Sequence, residues 1–105
     1  MFARIATFEG VDTAEAAATM QVAGKRVEPF LRQMQGLQRA IDLADSSSGK
    51  VLSIALFDSE ENMQAAEKAF DEEMPRVLAD LMEQWTGRRT SVERYEVVFD
   101  LSTGG

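Results

Sequence analysis

Strand-like stretches lie near both ends of the chain, at residues 2–8 (FARIATF) and 91–99 (SVERYEVVF), and helix, hairpin and helix lie between them. That order, β-α-β-β-α-β, is the split βαβ pattern of a ferredoxin-like α+β fold with a four-stranded antiparallel sheet. The 105 residues fit one domain, read as residues 1–101 with a flexible polar tail at 102–105.

The internal elements follow from local signals. Asp12, with Glu15 three residues on, reads as a capping box opening the first helix. Ala17, Met20, Gly24, Val27, Leu31 and Met34 recur at helical spacing on one face. Gly24 and Pro29 fall inside this pattern and predict a kink or break, because proline lacks the N–H that a helix interior uses. The second strand is expected at residues 37–44, a turn at 45–49 (DSSSG) and the third strand at 50–57 (KVLSIALF). Ser59, followed by Glu60 and Glu61, predicts the cap of a second helix. Its inner stripe is Met63, Ala66 and Phe70. Pro75 starts a further helical segment, with Val77, Leu78, Leu81, Met82 and Trp85 facing inward.

Composition narrows the function. The net charge of −7 argues against nucleic acid and against an anionic membrane surface, both of which attract clustered Lys and Arg. The chain has no histidine and no cysteine. That removes His-based acid–base chemistry, haem held by a proximal His, thiol nucleophiles and disulfides. No cofactor and no metal site are expected. The Asp71-Glu72-Glu73 run reads as a solvated helix start, and SSSGK at 46–50 fails the phosphate-loop spacing. No basic segment followed by an apolar run opens the chain, so a cytoplasmic location is expected.

Two helical segments cover one face of such a sheet. Alternation along the third strand makes Leu52, Ile54 and Leu56 the greasier set, expected to meet the helices. The opposite face is then Val51, Ser53, Ala55 and Phe57. Phe2, Arg4, Ala6 and Phe8 share it from the first strand. The second strand adds Leu37, Arg39, Ile41 and Leu43, and the fourth adds Val92, Arg94, Glu96 and Val98. A face this apolar, yet carrying Arg4, Arg39, Arg94 and Glu96, predicts a homodimer with a polar cavity between the two sheets.

Residues 3–10 (ARIATFEG), 49–63 (GKVLSIALFDSEENM) and 92–97 (VERYEV) resemble the antibiotic-biosynthesis-monooxygenase-like group of the dimeric α+β barrel superfamily. The resemblance implies a ferredoxin-like monomer whose sheet pairs with a second copy to close a barrel. It also implies kinship with cofactor-free oxygenases of aromatic polyketides and with haem-degrading enzymes. The haem-degrading branch uses a His together with an Asn and a Trp, and a chain without His does not fit it. The aromatic ending the third strand, often Trp in that group, is Phe57 here.

The expected ligand-binding set is Arg4, Arg39, Phe57, Arg94 and Glu96. Arg4, Arg94 and Glu96 are the candidates for any catalytic role, with Glu96 either a general base or a neutraliser of the two arginines. Tyr95 is expected to point toward the helices and Trp85 to pack in a helix stripe. Three functions fit these residues. One is a binding protein for an apolar or anionic small metabolite. The second is a cofactor-independent monooxygenase acting on a hydroquinone- or anthrone-like aromatic. The third is a purely structural dimer.

Overall fold

The computed structural model describes residues 1–83 and 85–104, apart from the side chain of Met82. The expectation that Met82 faces inward falls outside that description. The elements run β1 (Phe2–Glu9), α1 (Ala16–Arg32), β2 (Leu37–Asp45), β3 (Lys50–Phe57), α2 (Glu60–Lys68), a π-helical turn (Ala69–Glu73), α3 (Met74–Val77), α4 (Ala79–Met82) and β4 (Arg88–Glu96). The sheet order is β2-β3-β1-β4 with antiparallel neighbours throughout. This is the ferredoxin-like arrangement.

Three local expectations are revised. The first helix starts at Ala16, not after Asp12, and Glu15 at its N-cap makes no side-chain cap. Asp12 instead accepts a hydrogen bond from the Ala14 N–H at 2.9 Å, closing a turn of its own. Neither Gly24 nor Pro29 breaks α1, which runs on to Arg32. Pro29 sits in the last turn, so only one internal hydrogen bond is forfeited. The fourth strand begins and ends about three residues earlier than expected. β1 reaches Glu9, which pairs with Arg88, and begins at Phe2, opposite Glu96. Beyond the bond from Val97 N–H to Met1 O at 2.8 Å, no strand among the described residues pairs with Val98 and Phe99.

The largest revision is which face the helices cover. Phe57, Ala55, Met63 and Ala66 form one buried cluster, with Phe2, Met34, Leu37 and Phe70 packed on it. Val51, Val11, Ala16 and Met20 form another, with Phe8 and Trp85 against it. The helices therefore meet Val51, Ala55 and Phe57, and the Leu52, Ile54 and Leu56 set lies on the open face. The greater hydrophobicity of Leu52, Ile54 and Leu56 does not decide which face meets the helices, because both alternating sets of β3 are largely apolar. The smaller set is the one compatible with helices pressed close to the sheet.

The α1 stripe shifts accordingly. Its buried residues are Ala16, Met20, Ala23 and Val27, so Ala17 lies at the margin. In the second helical region Met63 and Ala66 are buried as expected, whereas Val77 is exposed. Pro75 opens α3, and the π-helical turn just before it absorbs the mismatch. A proline N–H is missing where the carbonyl of Asp71 would find its i+4 partner, and the wider turn is the usual relief.

Candidate functional site

Between the sheet and the helices lies an open-mouthed cavity of about 1160 Å³. Its apolar wall includes Met20, Val27, Leu31, Phe70 and Trp85, and its charged residues include Arg4, Asp42, Asp71 and Arg89. Ala40 and Ala44 on β2 and Gly24 on α1 line it too. Their small side chains leave the space that larger residues would close.

Arg4 anchors one side. It points under the helices, almost fully buried, and its Nε donates to Glu67 Oε2 at 3.0 Å. Its second branch reaches Asp71 Oδ1 at 3.4 Å, and its guanidinium lies 4.4 Å from the centre of the Phe70 ring. Arg94, directly opposite Arg4 in the β1–β4 register, donates to the other Glu67 oxygen at 2.7 Å. Arg89 donates to Asp71 Oδ1 at 2.8 Å. Three guanidiniums thus share two carboxylates, which leaves one surplus positive charge on this side.

Backbone irregularities aim these groups. The β1–β4 register shifts between Thr7 and Phe8, where Ser91 pairs with Thr7 and Arg89 with Phe8. Thr90 is the extra residue, and this bulge turns Arg89 onto the helix-covered face, where strict alternation would point it away. The π-helical turn carries Phe70 and Asp71 to the cavity.

The local electrostatics follow from these contacts. Burial pushes the Glu67 carboxyl up, but hydrogen bonds and charge from Arg94 and Arg4 outweigh it and hold it below its ordinary value. The Arg89 hydrogen bond does the same for Asp71. Asp42 goes the other way. Burial raises it, and a hydrogen bond from its cross-strand neighbour Ser53 offsets only part of the effect.

The structure brings together some of the expected residues and separates others. Arg4 and Arg94 are joined, and Arg4 lines the cavity. Their neutraliser is Glu67, a residue the sequence reading passed over, and not Glu96. Glu96 sits at the end of β4 opposite Phe2, on the helix-covered face but away from the cavity walls. Arg39 pairs with Leu56 and lies on the open face, so it does not share a site with Arg4. Phe57 is fully buried in the core. Tyr95, expected toward the helices, pairs with Ala3 on the open face, is half exposed and donates its hydroxyl to Glu93. Leu37 falls on the helix side because the β2–β3 register shifts between Leu37 and Arg39.

The sequence signals do not single out Glu67, Arg89 or Asp42, and Asp71 reads from sequence only as part of a solvated helix start. Glu67 carried a signal: it falls at i+4 from Met63 and i−3 from Phe70, beside the buried stripe, where a carboxylate needs a partner. Arg89 carried none, since a bulge leaves no mark in alternation.

Among solved structures, the chain is similar to a dimeric ferredoxin-like protein from an uncultured marine organism, with a TM-score of 0.72 at 15% identity over 97% of this chain and 98% of that one. It is similar to a proposed antibiotic biosynthesis monooxygenase from Deinococcus radiodurans, with a TM-score of 0.66 at 18% identity over the whole of both chains. The fold is that of the antibiotic-biosynthesis-monooxygenase-like, ferredoxin-like proteins. A monooxygenase of Streptomyces coelicolor from the gene ActVA-Orf6, solved with nanaomycin D, shares this ferredoxin-like fold. Its TM-score is 0.67 at 14% identity over 98% of this chain and 92% of that one. No family model matches the sequence, and no curated protein does. Among the described residues, no group of acidic side chains could hold a metal ion, and no helix is long and apolar enough to cross a membrane.

Proposed function

We propose that this protein binds an apolar small molecule bearing an anionic group, in the cavity between its sheet and its helices. The carrying observation is the cavity of about 1160 Å³, apolar along Met20, Val27 and Phe70 and basic at Arg4 and Arg89. Its volume is a little above the roughly 300–1,000 Å³ usual for drug-sized ligand sites. Arg4 is held by Glu67 and Asp71, whereas Arg89 is part exposed. Arg89, bound to Asp71 through Nη1, still has its Nη2 donors to offer a carboxylate or phenolate.

The protein acts as a homodimer, paired through the open sheet face. Ile5, Ile41, Leu52, Ile54 and Leu56 share that face, and Val98, Phe99 and Leu101 beyond β4 are largely exposed in the single chain. Apolar surface of this extent suits burial against a second copy, and relatives by fold include dimeric proteins.

Fluorescence titration with 1-naphthoate tests the cavity reading. Saturable binding is expected, weakened about tenfold in Arg89→Ala, the loss of one charge-assisted hydrogen bond. Absence of binding by 1-naphthoate and by neutral naphthalenes would leave the purely structural dimer.

A second reading, cofactor-independent oxygenation, is favoured by the likeness to the Streptomyces coelicolor monooxygenase. A reduced aromatic would supply the electrons, and the cavity would supply orientation and charge stabilisation. Oxygen uptake with an anthrone or hydroquinone, above the rate without protein, checks it.

A further inference from the structure

We propose that α3 and α4 form a lid over the cavity, latched to α1 by the Arg26–Asp80 ion pair. The proposal rests on the cavity being the ligand site and adds how a molecule enters and leaves it.

Two helical stretches wall the cavity on the side away from the sheet. Gly24, Val27 and Leu31 of α1 line it from one stretch, and Met74, Pro75 and Leu78 line it from the other. The second stretch is the weakly held one. Its two helices are single turns, and Leu78 between them leaves helical geometry at φ −99° and ψ 7°. Helices this short gain little stability of their own. No residue of α3 is buried, and in α4 Ala79 and Asp80 are exposed and Leu81 is half-buried. By contrast, α1 buries Ala16, Met20, Ala23 and Val27. A segment with so little buried apolar surface opens at low cost. The π-helical turn Ala69–Glu73 joins it to α2, and hinges form at such ends of regular structure.

Two observations show a closed position that is poised and not locked. The first is the latch itself. Arg26 Nη1 donates to Asp80 Oδ1 across the two stretches, and both side chains are exposed. An exposed pair is worth little and is screened by salt. Beside it Leu81 shares a shallow groove with Ala18 and Val22 of α1, and Val22 is half exposed, so the apolar seam is incomplete.

The second lies where the lid returns to the body. Trp85 lines the cavity, and its Nε1–H is buried without an acceptor among the described residues. A methyl group added at Gly87 would collide with Nε1, so the indole edge abuts backbone there. A buried donor without a partner costs stability. Opening of the lid lets water reach that N–H and recovers the cost. A molecule in the cavity is thereby shielded while the lid is down, and the latch sets how fast it exchanges.

Stopped-flow binding of 1-naphthoate, read through Trp85 as the chain's single tryptophan, tests the lid. Asp80→Ala should raise the association and dissociation rates together by about threefold, the scale of one exposed ion pair, and leave the affinity little changed. The charge swap Arg26→Asp with Asp80→Arg should restore the wild-type rates. The chain has no cysteine, so Arg26→Cys with Asp80→Cys can be joined by a short bismaleimide. The bridged protein should exchange 1-naphthoate more slowly than the same variant unbridged. A bridge that leaves both rates unchanged overturns the lid and leaves the cavity reading standing. So does an Asp80→Ala protein in which association alone rises, because that is the loss of a negative charge on an anion's path. Binding of neither 1-naphthoate nor neutral naphthalenes to the wild type removes the cavity reading, and the lid falls with it.

Discussion

Arg4 and Arg94 lie directly opposite each other on neighbouring strands, and each holds one oxygen of the Glu67 carboxylate, at 3.0 and 2.7 Å. Two like charges in cross-strand register repel. Glu67, reaching down from α2, turns that repulsion into a clamp that fastens the outer strand β4 to the helical layer.

Removing the shared carboxylate should therefore cost more than losing an ordinary surface ion pair. Glu67→Ala leaves Arg4 buried with only its longer contact to Asp71. Chemical denaturation should show a loss of about 2–3 kcal/mol, the scale of hydrogen bonds to charged groups. A loss below about 0.5 kcal/mol would place the pair among exposed bridges of little worth.

The same residues set the acid limb of stability. The folded protein holds the carboxyls of Glu67 and Asp71 below their ordinary values of 4.5 and 3.8. Their contribution is fully present above those values and is lost as the pH falls through the lowered folded values, because the unfolded chain takes up the protons first. Thermal melts of the wild type should decline between about pH 5 and pH 2. Glu67→Gln should melt lower at neutral pH and show a shallower decline.

Asp42 carries the opposite sign. Its carboxyl is raised above 3.8 in the folded state, so the native protein keeps a proton that the unfolded chain has released. Stability falls as the pH rises through that window. Asp42→Asn should melt above the wild type at pH 7 and alongside it near pH 3. A lower melting temperature at pH 7 would mean that the carboxylate is a structural anchor.

The turn before β3 tolerates no side chain at its last position. Gly49 has φ +73°, and a methyl there would fall 2.3 Å from the Val11 carbonyl oxygen. Its own carbonyl accepts the Val11 N–H at 3.1 Å. Gly49→Ala should destabilise by more than the roughly 1–2 kcal/mol of left-handed backbone alone, as read by urea unfolding.

A charge on the open face tests the dimer. Leu52→Asp places a carboxylate between Thr7 and Leu43 in register, far from the helices. Light scattering after gel filtration should give twice the chain mass for the wild type and a single-chain mass for the variant, with the circular dichroism spectrum unchanged. A variant that stays dimeric would move the interface elsewhere.

The element order, the β3 limits and the Arg4–Arg94 proximity were legible because turn residues, strand composition and fold topology determine them locally. The face assignment was not. In β3 both alternating sets are apolar, so hydrophobicity cannot choose between them when the second face is available to a partner copy. Arg4, Phe8 and Arg94 share a face as expected, but it is the helix-covered one, whereas Arg39, Ile41 and Leu43 lie on the open face as expected. Arg89 depends on a one-residue bulge at Thr90, and Asp71 on a π-helical turn. Neither irregularity leaves a periodic trace.

The central claim is that the ligand sits between sheet and helices, not between two sheets. Nuclear Overhauser contacts from bound 1-naphthoate to assigned methyl groups test it most directly. The account predicts contacts to Met20 and Val27 and none to Leu43 or Leu52. Contacts to Leu43 or Leu52, with Met20 and Val27 silent, would contradict it.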